Sequence, residues 1–153
     1  GINYFFRTRE EFKKMIENNE LIEWVEYCDN YYGTPAGYVQ ELMDSGLDVI
    51  LEIDVQGALN IISKYPDCVS IFLLPPSFEE LKRRIVGRGT EEPDVIEKRM
   101  QKAKYEVQLA DRYNYIVIND EVEKAVSSIN SILVAEKLRA SRNKDILLDL
   151  KLI

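Results

Sequence analysis

Apolar positions along the chain recur at two periods, near 3.6 and near 2 residues, and segments of the two kinds alternate. Thr8-Arg9-Glu10-Glu11 has the form of a capping box, and Phe12, Met15 and Ile16 follow at helical spacing, which predicts a short helix to about Asn18–Asn19. Leu21-Ile22-Glu23-Trp24-Val25-Glu26-Tyr27 alternates irregularly and is rich in β formers, so it reads as a strand. Asn30-Tyr31-Tyr32-Gly33-Thr34-Pro35 mixes a turn signal with a helix start, with Thr34 as the cap and Pro35 at the first helical position. The helix so begun is expected to end near Ser45-Gly46.

Asp48-Val49-Ile50-Leu51-Glu52-Ile53-Asp54 is a continuous apolar run ending in a carboxylate, the pattern of a buried parallel strand with its functional end at the carboxyl edge. Val69–Leu74 and Tyr115–Ile118 are two further runs of this kind. Helical patterns lie between and after them, at about Gly57–Ser63, at Phe78–Val86 behind a second capping box Ser77-Phe78-Glu79-Glu80, at Asp94–Ala110 and at Val122–Arg139. The tail Asn143–Ile153 fits either a short amphipathic helix or a strand. Strand and helix in alternation predict an α/β domain with a mostly parallel sheet, and no repeat or low-complexity linker divides it.

Composition narrows the chemistry. A chain of 153 residues, 46% hydrophobic and 31% charged, suits one folded globular domain. Its net charge of −7 disfavours a nucleic-acid polymer as partner but leaves room for a small anion held by a local basic cluster. The two cysteines, Cys28 and Cys68, make neither a disulfide framework nor a close metal pair, which points to a reduced, cytoplasmic compartment. No apolar run is long enough for a membrane span and no signal-peptide pattern is present. Histidine is absent altogether, which excludes His-based triads, His metal sites and imidazole acid–base catalysis. Arg, Lys, Asp, Glu, Tyr and the backbone remain. The chain opens on Gly1-Ile2-Asn3 without an initiator methionine and runs at once into Tyr4-Phe5-Phe6, as if cut from something longer.

Two clusters carry chemistry. Arg83, Arg84, Arg88 and Arg99 gather around Gly87-Arg88-Gly89-Thr90, where glycines let a loop move and guanidinium forks match phosphate oxygens. The bland reading is a solvated helix face with ion pairs to Glu79, Glu80 and Glu97. The second cluster is Tyr4, Glu23, Tyr31, Tyr32, Thr34 and Asp54. A carboxylate only accepts, so a paired Glu and Asp suits a ligand edge rich in N–H donors, such as the ring N–H and exocyclic amino group of guanine; adenine lacks both there. Taken singly, Glu23 and Tyr32 are more often surface and packing groups.

Asn30-Tyr31-Tyr32-Gly33-Thr34, Leu51-Glu52-Ile53-Asp54-Val55-Gln56-Gly57, Leu74-Pro75-Pro76-Ser77, Gly87-Arg88-Gly89-Thr90, Arg99 and Val117-Ile118-Asn119-Asp120 together resemble the signatures of the guanylate kinases, in that family's order, over Asn3 to about Arg142. The resemblance implies a P-loop kinase-like parallel sheet flanked by helices, with a small GMP-binding β region at about 4–34, a core at about 35–83 and 107–142, and a helical lid at about 84–106. It implies that Tyr4 and Tyr32 donate to the GMP phosphate, that Glu23 and Asp54 accept from guanine, and that Thr34 bonds the base at its carbonyl edge, with Gly33 in the same site. Arg84, Arg88 and Arg99 match arginines that contact both nucleotides, and Asn119 falls in the loop on the ATP side, while Glu52 stands where other members often have Asp. The activity implied is transfer of the γ-phosphoryl group of ATP to GMP or dGMP, with Mg2+ carried by ATP and no dedicated metal ligand on the protein.

The family's G-x-x-x-x-G-K-[ST] phosphate loop does not occur in these 153 residues, nor does the arginine-bearing segment that follows it. The resemblance places the missing first strand between the Val49–Ile53 and Val69–Leu74 strands. The chain is therefore expected to be a truncated part of a longer enzyme, to bind GMP poorly alone and not to catalyse transfer. Two rival readings are a non-catalytic guanylate-kinase-like interaction module, which would be expected to lose the base-reading carboxylates and lid arginines, and a kinase for another nucleotide such as AMP, which the paired carboxylates disfavour.

Overall fold

Thr8 closes the amino end of the first helix, α1 (Arg9–Glu17), as the sequence predicts. Its hydroxyl accepts from the Glu11 amide at 3.2 Å while the Glu11 carboxylate accepts from the Thr8 amide at 2.7 Å. Asn19, at a positive φ of 55°, then turns the chain out of the helix. The computed structural model describes residues 5–27, 30–87 and 93–150, and divides into two compact units, Gly1–Cys68 and Val69–Ile153.

In the first unit β1 (Leu21–Tyr27) pairs antiparallel with β2 (Asn30–Pro35). Residues 30–35 are thus a strand rather than the expected turn and helix start. Local cap signals at Thr34 and Pro35 yield to cross-strand pairing with β1, and α2 (Ala36–Asp44) begins one residue later without a side-chain cap. This helix stops where predicted, with Gly46 at φ 83° after it. A bulge separates the pairs Leu21↔Pro35 and Glu23↔Thr34. Neighbouring residues of β2 face opposite ways, so the bulge turns Glu23 to the side opposite Leu21.

Asp48–Asp54 enters no ladder. A strand exists only through hydrogen bonds to a neighbour, and among the described residues none pairs with this stretch. Asp54 instead caps α3 (Val55–Lys64), accepting from the Gly57 amide at 2.8 Å. Helices α2 and α3 both pack on β1, and Leu21, Val39 and Ile61 are buried.

The second unit is built on β3 (Ile71–Leu74) paired parallel with β4 (Tyr115–Ile118). A parallel pair needs a long crossover, supplied here by α4 (Phe78–Gly87), α5 (Pro93–Val107) and a 3-10 turn at Ala110–Arg112. Asn114 locks the start of the pair: its side-chain oxygen accepts from the amide and hydroxyl of Ser70, and its amide donates back to the Ser70 hydroxyl. Phe72 and Val117 are buried, while Leu73, Ile116 and Ile118 stand half exposed.

Helix α6 (Val122–Lys137) packs on β4 and buries Glu136, whose carboxylate accepts from the Tyr115 hydroxyl at 2.6 Å and from Arg142 at 3.2 Å. The tail forms a 3-10 turn at Ala140–Arg142 and a short helix, α7 (Lys144–Asp149), which settles the choice between helix and strand over those residues. No helix among the described residues is long and apolar enough to cross a membrane. Cys68 is half-buried, and Cys28 lies outside the described residues.

Candidate functional site

The two faces of the β1–β2 hairpin do different work. One carries an aromatic layer in which Tyr31 stacks on Phe12 of α1 with ring centroids 5.4 Å apart, meets Trp24 edge-on and lies under the Arg9 guanidinium. Tyr31 is therefore consumed by packing and leaves the cluster proposed from sequence. Gly33 belongs to the same layer. A Cβ there would come within 2.8 Å of the Glu23 carbonyl and 3.0 Å of both Phe12 and Trp24, so glycine is required for α1 to sit on the hairpin.

The opposite face carries Glu23, Tyr32 and Thr34. The Thr34 hydroxyl donates to Glu23 Oε1 at 2.7 Å. That single proton is committed, so in this structure Thr34 orients Glu23 and does not offer a donor to a base carbonyl. Tyr32 is 44% exposed, with its phenol open to a ligand.

Asp54 arrives from the amino end of α3 and meets Glu23 over Gly57. A Cβ built on Gly57 would lie 3.2 Å from Asp54 Oδ1 and 3.4 Å from Glu23 Oε2. Each carboxylate thus has one oxygen anchored, Glu23 Oε1 by Thr34 and Asp54 Oδ1 by the Gly57 amide. Among the described residues the second oxygen of each is without a donor. Two carboxylates brought to the same glycine in this way offer acceptors suited to a ligand edge with adjacent N–H groups.

The second unit holds the described arginines of the basic cluster, Arg83, Arg84 and Arg99. Arg83 makes the surface ion pair of the bland reading, two bonds to Glu80 from a side chain 76% exposed. Arg84 is held on three sides. Its Nε donates to Glu80 Oε1 at 2.7 Å, and its terminal nitrogens donate to the carbonyls of Asn119 at 2.9 Å and Asp120 at 3.3 Å. Hydrogen bonds from Arg83 first, and from Arg84 second, hold the Glu80 carboxyl down at about 2. Arg99 is half-buried on α5, which packs against α4. Tyr4 and Arg88 lie outside the described residues.

The family model described as Guanylate kinase matches residues 1–136. The chain belongs to the guanylate kinase family. It is 56% identical over 142 residues to a guanylate kinase from Halalkalibacterium halodurans, an alignment covering 93% of this chain and 70% of that one. It is 50% identical over 151 residues to the guanylate kinase of Caldanaerobacter subterraneus subsp. tengcongensis, with 99% and 73% covered. The crystal structure of guanylate kinase from Anaplasma phagocytophilum superposes with a TM-score of 0.77 at 33% identity, covering 96% of this chain and 73% of the other.

Membership in the guanylate kinases bears out the family and the α/β fold expected from the ordered motifs. Two relationships within this guanylate kinase chain lay outside the sequence reading. Thr34 acts on Glu23, and Gly57 sits between the carboxylates. The first was hidden because Asn30–Pro35 read as a helix start. The second had a visible signal, a glycine inside a helical pattern, where a packing or functional reason is to be sought.

Proposed function

We propose that this protein transfers the γ-phosphoryl group of ATP to GMP, giving ADP and GDP, and that the first unit reads the guanine ring. The observation that carries the reading is the convergence of Glu23 and Asp54, each with one oxygen anchored and one open. Guanine offers its ring N–H and exocyclic amino group to those two acceptors. Adenine presents a bare ring nitrogen and a hydrogen-bearing carbon there, which leaves both carboxylates unpaired. Tyr4 and Tyr32 supply phenolic donors for the GMP phosphate.

The attacking group is a phosphate oxygen of GMP, already anionic, so no strong general base is needed and the lack of histidine is no obstacle. What the reaction demands is alignment of the two phosphates and neutralisation of charge on the group in flight. Arg84, Arg88 and Arg99 serve that purpose, and Asn119 lies on the ATP side. Closure of a lid at about 84–106 over the phosphates would exclude water. The family's phosphotransfer normally uses Mg2+, which would shield the phosphate oxygens of ATP. Among the described residues no group of three or more Cys, Asp or Glu is placed to hold a metal ion, so they do not fit a protein-built metal cage, and the ion is assigned to the nucleotide.

The test is ADP formation from ATP and Mg2+ by the protein expressed from its complete gene, with GMP, dGMP, AMP and UMP compared as acceptors. GMP and dGMP should be phosphorylated and the other two ignored. A preference for AMP overturns the guanine assignment.

A further inference from the structure

Gly57 occupies an unusual place for a glycine. It sits in the first turn of α3, where glycine weakens a helix relative to alanine, and it is buried with no backbone conformation that demands it. Its φ is not positive, unlike that of Gly46. The reason for glycine must therefore lie in what a side chain would touch. That is the pair of carboxylates: Asp54 Oδ1 at 3.2 Å and Glu23 Oε2 at 3.4 Å from a Cβ, with Ile53 next at 3.8 Å.

We infer that Gly57 is a specificity-determining residue of the guanine site, acting in two ways at once. Its amide holds Asp54 Oδ1 and so fixes the rotamer that presents the other oxygen. Its bare Cα keeps open the space over which Glu23 Oε2 and Asp54 converge. The contact with Asp54 Oδ1 is tight and that with Glu23 Oε2 is at ordinary van der Waals range, so a methyl group forces a shift of a few tenths of an ångström on the Asp54 oxygen that the Gly57 amide holds and fills the space beside Glu23 Oε2 without displacing it. Two hydrogen bonds to one planar base require both acceptors in register, and a displacement of Asp54 by this much spoils that register. The inference rests on the guanine reading above.

The experiment compares the full-length protein with its Gly57→Ala variant for GMP, inosine 5′-monophosphate and ATP, and records the thermal midpoint without ligand. Inosine monophosphate keeps the ring N–H and lacks the exocyclic amino group, so the ratio of the two affinities reports readout by the paired carboxylates. Wild type should prefer GMP; if it does not, the guanine reading itself fails. In Gly57→Ala the GMP affinity should fall about tenfold, the scale of one spoiled hydrogen bond to a charged group. The preference over inosine monophosphate should shrink, the KM for ATP should hold, and the midpoint should stay or rise. Gly57→Ala in a Glu23→Gln background should then lose little more than Glu23→Gln alone. If wild type prefers GMP and Gly57→Ala retains both its affinity and its preference, Gly57 has no part in specificity. If stability, GMP affinity and ATP affinity fall together, the glycine is a packing requirement only and the inference is overturned.

Discussion

Thr34 gives its hydroxyl proton to Glu23 Oε1 across the hairpin at 2.7 Å, a bond that joins β2 to β1 by side chains where the bulge interrupts the regular ladder. The bond leaves Glu23 with one oriented oxygen instead of two interchangeable ones. Most of the site's expected behaviour follows from that asymmetry.

Glu23→Gln keeps an acceptor for Thr34 but replaces the outward oxygen by an NH2 group. A donor then faces the donors of guanine. GMP binding is expected to weaken by about 1–3 kcal/mol, the cost of an unpaired buried polar group, with ATP binding unchanged. Isothermal calorimetry with GMP checks this, and an unaltered affinity would remove Glu23 from the site.

Thr34→Val preserves shape and removes the hydroxyl. Glu23 loses its anchor and not its charge, so the expected loss in GMP affinity is smaller, about 0.5–1.5 kcal/mol, and Thr34→Ser should recover it. Equal losses for Val and Ser would show that the hydroxyl is not what matters.

Glu80 ties Arg84 to the chain beyond β4. Its carboxyl lies at about 2, down from the ordinary 4.5, chiefly through the hydrogen bond from Arg83 and then that from Arg84. A lowered carboxylate contributes stability above the unfolded value and loses it as pH falls, here between about 4.5 and about 2. The difference in denaturant midpoint between wild type and Glu80→Gln should thus be full near neutrality and shrink below about pH 4.5. A difference that stays constant down to about pH 3 would contradict the clamp.

Tyr115 and Glu136 form a second titrating pair. The hydrogen bond to Glu136, with burial and its negative charge adding, pushes the Tyr115 phenol above the ordinary 10.0, and the same bond lowers Glu136 against the effect of burial. A raised phenol stabilises the fold below its unfolded value and stops doing so as pH rises through the folded one. Tyrosine ring-carbon NMR should find one residue ionising later than free tyrosine, and Glu136→Gln should bring it back. No late-ionising tyrosine in wild type would refute the pairing.

The parts legible in the sequence were those decided within a few residues. The Thr8 and Glu11 capping box is a local exchange of two hydrogen bonds, and it formed as read. The end of α2 at Ser45-Gly46 depends on one glycine's freedom. What depended on a distant partner was misread. Asp48–Asp54 has the composition of a strand, but composition cannot provide a neighbouring ladder. Asn30–Pro35 carries helix-start residues, yet pairing with Leu21–Tyr27 outweighs them. The ordered motifs identified the family, as the match over residues 1–136 bears out. The purpose of Gly57 stayed hidden because one of the two carboxylates it meets, Glu23, is remote in sequence and adjacent in space.

The extra residue in β1 has an implication for anyone trimming this hairpin. The register from Tyr27↔Asn30 back to Glu23↔Thr34 sets the side on which Glu23 stands, so removal of Ile22 would leave Leu21 and Glu23 opposite Pro35 and Thr34 in regular succession and keep Glu23 where it is. Removal of Val25, on the turn side of Glu23, would instead bring Glu23 opposite Gly33, into the layer occupied by Phe12 and Tyr31. A charge would then sit among aromatic rings while the ligand side lost its acceptor. The hairpin can be shortened at its irregularity and not beyond it.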